Sequence, residues 1–278
     1  MWGAIIGDIV GSPYEFDDTA IKTTQFELFS EDSVFTDDTV MTVAVGQALL
    51  EVRQAASGKL VDEAKGEAAV IAAMRRWGRR YPCGYGARFR HWLVMDTPKP
   101  YDSCGNGSAM RVAAVGWLCH SPEQVCRWAS VTARVTHNHP EGIKGAAATA
   151  LAIYLARTGA TKAQIKAQIE KRFDYDLSRS LDQIRPGYRR FETCQATVPE
   201  AITAFLESTG FEDTVRLAVS LGGDSDTLAA IAGSIAQAAY GIPSDLVDQA
   251  RRRLDQPLLE VIEAFDQVVS DAPQPPVI

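Results

Sequence analysis

No CxxC pair occurs in this sequence, and its five cysteines, Cys83, Cys104, Cys119, Cys126 and Cys194, are an odd number. That argues against a disulfide framework or a zinc ribbon, and a reducing cytoplasm is the expected compartment. No block of Lys and Arg is present, and 28 basic residues face 35 acidic ones for a net charge of −7. A duplex-binding groove is therefore disfavoured, and a polyanionic partner would meet mild repulsion unless cations intervene. Met1 to Val10 lacks a basic start and carries Asp8 inside its apolar run, which is not the pattern of a signal peptide. The longest apolar-looking stretch, Gly145 to Ala156, reaches only about half a membrane span, so no membrane partner is expected. Alternating polar and apolar segments are scarce as well, with Gln25 to Phe29 the weak exception, and a sheet has little to build on.

What the sequence has instead is helical spacing. Val40, Ala44, Ala48 and Val52 fall on one face, and Met41, Val45 and Leu49 broaden it. Similar patterns run from about Asp62 to Arg79, Ala109 to Cys119, Pro122 to Val135, Glu141 to Thr158, Phe211 to Leu221, Thr227 to Tyr240 and Pro257 to Val269, and they predict an all-α fold. The 278 residues, 46% of them hydrophobic, can bury a core without covalent staples. The turn clusters between the helices are too short to be interdomain linkers, so one domain over residues 1–270 is expected, with a frayed tail at 271–278 that holds three prolines. Lys171 to Arg190 is rich in charge and weakly apolar, the pattern of a peripheral helix and loop with a solvated face. Gly3, Gly7 and Gly11 recur every four residues. They suit close helix packing, or, at Gly11, approach of the backbone to a ligand.

Five short segments concentrate polar chemistry. Thr36-Asp37-Asp38-Thr39 and Gly222-Gly223-Asp224-Ser225-Asp226-Thr227 each stand directly before an apolar helix. Taken singly, each reads as a helix N-cap. A cap needs one oxygen, however, and each cluster supplies two carboxylates and at least one hydroxyl, and a cation would offset the repulsion between the carboxylates. Such an all-oxygen set suits a hard divalent cation, and two sets could converge on a two-metal centre. No His or Cys cluster competes for zinc. Gly105-Asn106-Gly107-Ser108 is either an ordinary turn or a loop whose N–H groups cradle an anion. Thr136-His137-Asn138-His139 is a capped helix start or a loop facing its histidines into a pocket. Glu15, between Tyr14 and Phe16, has a setting in which a carboxyl pKa rises.

In this order the five segments resemble the ADP-ribosylglycohydrolase family. The matching strings are Gly3-Ala4-Ile5-Ile6-Gly7-Asp8 running on to Glu15, Phe35-Thr36-Asp37-Asp38-Thr39, Gly105 to Arg111, Thr136 to His139, and Gly222 to Thr227. The resemblance implies a single-domain orthogonal helical bundle with two Mg2+ ions, sometimes replaced by Mn2+. It implies that Thr36, Asp37 and Asp38 form one half of the ligand set and Asp224, Asp226 and Thr227 the other, with Asp226 bridging. Gly105, Asn106, Gly107 and Ser108 would cradle ADP-ribose, and His137 would lie near the adenosine or diphosphate. Glu15, or a metal-bound aspartate such as Asp38, would move the proton. Tyr85 and Tyr101 are candidates for stacking on adenine. The implied reaction is hydrolysis at C1″ of an ADP-ribosylated protein side chain or small molecule, releasing ADP-ribose, in a chain expected to be monomeric. Nucleic acid is an unfavoured carrier for an acidic protein. A magnesium phosphohydrolase of nucleotides or sugar phosphates, and a non-catalytic ADP-ribose binder of the lens-crystallin kind, are the competing readings.

Overall fold

The apolar periodicity becomes helix along the chain in the computed structural model, which describes residues 1–271. The helices are α1 (Trp2–Gly11), α2 (Asp37–Ala55), α3 (Glu63–Arg80), α4 (Ala87–Val94), α5 (Gly107–Met110), α6 (Ala113–Leu118), α7 (Pro122–Arg134) and α8 (Pro140–Arg157). They continue as α9 (Lys162–Phe173), α10 (Leu181–Ile184), α11 (Cys194–Glu207), α12 (Phe211–Val219), α13 (Ser225–Tyr240), α14 (Ser244–Arg251) and α15 (Gln256–Ser270). Among the described residues no strand forms, and the one β pairing is an isolated antiparallel bridge between Gly105 and Thr193. Gln25 to Phe29 is bends and irregular chain, not a strand. None of the described helices is long and apolar enough to cross a membrane. The tail expected to fray lies, apart from Asp271, outside the described residues.

Two expectations fail in detail. The helix expected from Ala109 to Cys119 is two short ones, α5 and α6, broken at Arg111 and Val112. The Lys171–Arg190 segment is not a solvated face. Tyr175, Leu177, Leu181, Ile184 and Tyr188 are all buried in it, and the charges occupy the positions between them.

The core is organised around α13, which packs on α1, α8, α11 and α12. Every residue of α1 is buried, including Asp8. The three spaced glycines resolve as close packing. A Cβ on Gly3 would collide with the Gly233 carbonyl, and one on Gly7 with the Ala229 carbonyl. A Cβ on Gly11 would sit 2.5 Å from Asp226 Cα, so α1 lies directly against the backbone that carries the second acidic cluster. Gly7→Ala forces two backbones apart, and overpacking of this kind costs about 3 kcal/mol. The expected result is a fall of roughly 5–10 °C in the thermal midpoint, read by calorimetry. A midpoint within a degree or two of the parent would mean the seam is loose.

Candidate active site

Helix N-termini build the acidic half of the site. Thr36 caps α2, its hydroxyl accepting from the Asp38 amide at 3.3 Å, and Asp37 and Asp38 fill the first turn. Asp224 stands at the N-cap of α13, with Asp226 in the first turn. Gly222 (φ +69°) and Gly223 (φ +87°) make the turn that delivers Asp224, a backbone path that residues with a Cβ rarely follow. The two clusters touch. Thr227 Oγ1 donates to Asp38 Oδ2 at 3.2 Å, and Thr36 Oγ1 lies 3.4 Å from Asp226 Oδ2.

Asp8 joins them from α1, and sequence reading assigned it no role. Its carboxylate accepts from Thr36 Oγ1 (2.6 Å), the Thr36 amide (2.9 Å) and the Thr39 amide (3.0 Å). Both oxygens are thus engaged in fixing the start of α2. A buried carboxylate needs such partners, and an aspartate inside an apolar helix was the available signal.

The clusters open into a cavity of about 440 Å³. The residues that the family resemblance assigns to metal, catalysis and ADP-ribose all line it except Thr36 and Ser108. Thr36 is turned to Asp8, and Ser108 donates its hydroxyl to the Gly142 carbonyl at 2.7 Å, which leaves only its backbone for the loop. Asn106 points into the acidic half, where Nδ2 donates to Asp224 Oδ2 at 2.5 Å and to Thr197 Oγ1 at 3.1 Å. His139 is no cavity residue; its Nδ1 caps α8 by accepting from the Glu141 amide at 3.1 Å. Tyr101 lines the cavity, but Tyr85 does not. Tyr85 is buried, and its hydroxyl donates to the Tyr81 carbonyl at 2.8 Å. Phe89 takes a place on the wall instead.

Electrostatically the cavity has two ends. At one, Glu15, Asp224 and Asp226 bring carboxylate oxygens within 4.8 Å of one another, with Asp37 and Asp38 beside them on the same wall. Burial pushes Asp224 up to about 6. Burial and then the charge of Asp8 push Asp37 up to about 7. Burial followed by neighbouring aspartates holds Asp38 and Asp226 well above the usual range. Glu15 is raised by burial, with Arg190 opposing. At the other end stand Arg88, Arg111 and His137, and the Gly105–Gly107 loop runs between them and Asp224, which Asn106 reaches. Arg111 Nη2 donates to Thr136 Oγ1 at 2.8 Å, and the same hydroxyl lies 2.8 Å from His137 Nδ1. The same hydroxyl lies 3.5 Å from the Ala133 carbonyl, so Thr136 ties Arg111 and His137 to the end of α7. Burial and the Arg111 charge hold His137 neutral, well below its ordinary pKa. A Cβ on Gly105 or Gly107 would sit 3.3 Å from His137 Nε2, so the two glycines leave the imidazole its room. The cavity can therefore take a ligand with an anionic group at one end and oxygen ligands shared with a cation at the other.

The acidic end also fits a divalent ion on its own chemistry. Asp38 Oδ1 is buried without a hydrogen-bond partner. Neighbouring aspartates raise the pKa values of both Asp38 and Asp226, and Glu15 adds to the shift at Asp226.

Comparison with known proteins gives a consistent result. The family model described as ADP-ribosylglycohydrolase matches residues 1–274. ADP-ribosylhydrolase ARH3 of Mus musculus is 28% identical over 86% of this chain and 82% of its own length. ADP-ribosyl-[dinitrogen reductase] glycohydrolase of Rhodospirillum rubrum is 26% identical over 95% of this chain and 92% of its own. A solved structure titled as an ADP-ribosylglycohydrolase-related protein complex superposes with a TM-score of 0.70 at 25% identity, covering 96% of this chain and 94% of that one.

Proposed function

The chain belongs to the ADP-ribosylglycohydrolase family, and from that premise we propose that it hydrolyses the glycosidic bond at C1″ of an ADP-ribosylated protein side chain or small molecule and releases ADP-ribose. The observation that carries this reading is the two-ended cavity. A diphosphate matches the end with Arg111, His137 Nε2 and the first N–H groups of α5. A ribose bearing the scissile bond matches the acidic end.

Asp37, Asp38, Asp224 and Asp226, with the Thr36 and Thr227 hydroxyls, would hold two Mg2+ ions, or Mn2+ in their place. When bound, such ions acidify water and bind sugar hydroxyls. The protein's own residues do the rest. Asp8 holds Thr36 and the α2 amides so that Asp37 and Asp38 face the cavity. Asn106 orients Asp224. The buried aspartates favour the positive charge that develops at the anomeric carbon. Glu15, raised by burial and standing at the cavity edge, holds or moves the proton exchanged with water and the leaving group. Fixing the diphosphate at one end and the ribose at the other is a proximity effect.

The test is direct. Incubation with ADP-ribosylated arginine and serine peptides and with O-acetyl-ADP-ribose, in magnesium and in EDTA, is expected to release free ADP-ribose from at least one substrate in magnesium only. Release of inorganic phosphate instead, or of nothing from any of the three, would overturn the reading.

A further inference from the structure

Arg190 stands at the cavity rim and belongs to neither acidic cluster nor to the glycine loop. Its Nη2 donates to Glu15 Oε1 at 2.6 Å and lies 3.1 Å from Glu192 Oε1, while its Cζ sits 4.8 Å above the ring of Phe16. Glu15 follows a single 3₁₀ turn, Ser12–Tyr14, and begins a stretch without helix that runs to the start of α2. Its carboxylate lies among those of Asp224 and Asp226, which repel it, and among the described residues Arg190 is its one hydrogen-bond partner.

Arg190 is itself held from the opposite side. Its backbone lies on the Gly222–Gly223 turn, where a Cβ on Gly223 would be 2.5 Å from the Arg189 carbonyl oxygen and 2.9 Å from the Arg190 nitrogen. Lys22 Nζ ties the two segments, donating to the Tyr188 carbonyl at 2.8 Å and to the Leu221 carbonyl. The turn that delivers Asp224 therefore also seats Arg190, and the guanidinium reaches across to Glu15.

We infer that Arg190 is a positioning residue, which fixes the Glu15 carboxylate against the Asp224–Asp226 end of the cavity. The inference rests on the proposed hydrolysis only for its kinetic test. A guanidinium suits this task because its planar fork can hold two carboxylates and lie flat on an aromatic face at once, which an ammonium cannot.

Arg190→Ala and Arg190→Gln, each alone and combined with Glu15→Gln, test it in two ways. Crystal structures of the single variants are expected to show the Glu15 carboxylate swung away from Asp224 and Asp226; a Glu15 that stays in place in both overturns the inference. In turnover, misplacing a reacting group costs up to about 10²-fold, so each single variant should lose roughly tenfold or more in kcat with KM nearly unchanged. The double variants should be no slower than Glu15→Gln alone. Additive losses, or kcat within about twofold of the parent, would overturn it. The glutamine variant keeps the bulk of the side chain should alanine fail to fold. The crystallographic arm needs no turnover, so the inference and the proposed hydrolysis can fail separately.

Discussion

Asp226→Asn is expected to abolish turnover, with a loss of at least about 10³-fold, while raising the thermal midpoint of the protein in EDTA. The two effects share one cause. Asp226 is buried, its charge faces Asp224, Glu15 and Asp8, and these neighbours together with burial hold its pKa well above normal. A group so placed is unfavourable to the fold by itself, and in the proposed reaction it becomes useful once a cation is bound. Losing a residue that merely orients a ligand typically costs 10–100-fold in affinity or activity, and losing a ligand itself should cost more. Asparagine has the same shape without the charge, and its amide can donate to the oxygens around it. Relief of one repulsive contact should therefore stabilise the metal-free protein by several degrees. Circular dichroism and turnover assays on the purified variant check both halves. Activity within tenfold of the parent, or a lower midpoint in EDTA, would remove Asp226 from the centre of the mechanism.

In EDTA the protein should lose stability as pH rises from about 4 towards 8. Asp8 and Asp224 are pushed up to about 6 and Asp37 to about 7, in each case chiefly by burial, and Asp38 and Asp226 are raised further. In the unfolded chain all five ionise near pH 4. Between that pH and the folded values the native state holds protons that the unfolded chain has released, so stability must fall with rising pH. His137, His120 and the Met1 amine, whose pKa values burial lowers, act in the opposite sense, but Glu15 and Glu200, raised by burial, join the five aspartates, so three groups stand against seven. A drop of about 5 °C or more between roughly pH 5 and pH 8 is expected. Saturating magnesium should flatten or reverse it, because ion binding needs the carboxylates ionised and strengthens as they lose protons. Midpoints measured across this range in the two buffers decide the matter. An EDTA curve that climbs with pH would mean that the aspartates are not strained in the empty fold.

The all-α fold was legible because its central helices have clean periodicity and no competing strand signal. Both acidic clusters were legible because the N-cap and first-turn positions of α2 and α13 hold, within a few residues, the carboxylates that face the cavity. What stayed hidden has identifiable physical reasons. Pro199 lies inside α11, where a proline ordinarily marks an end. Tyr175, Leu177, Leu181, Ile184 and Tyr188 are buried at irregular intervals, so no helical period separates them from the charges between, and Arg190 was lost among those charges. Tyr85 offered an aromatic ring of the right kind at the right distance along the chain, but the hydrogen bond of its phenol to Tyr81 turns it into the core. Ser108 sits in the expected loop, yet its hydroxyl faces α8. Sequence can nominate a residue type for a task; which way the side chain turns depends on partners tens of residues away.

The glycine seam between α1 and α13 sets the terms on which this protein could be re-engineered. Asp8 rides on one side of the seam and Asp226 on the other, with no side chain between the two backbones at Gly3, Gly7 or Gly11. The carboxylate frame is thus locked at its base, and the enzyme cannot widen its pocket by spreading these two helices. Adaptation to a bulkier leaving group is left to the irregular segments around the opening, where Glu15, Phe16, Arg190 and Glu192 stand. A mutational library aimed at new substrates belongs on that border at Phe16 and Glu192, with Glu15 and Arg190 kept.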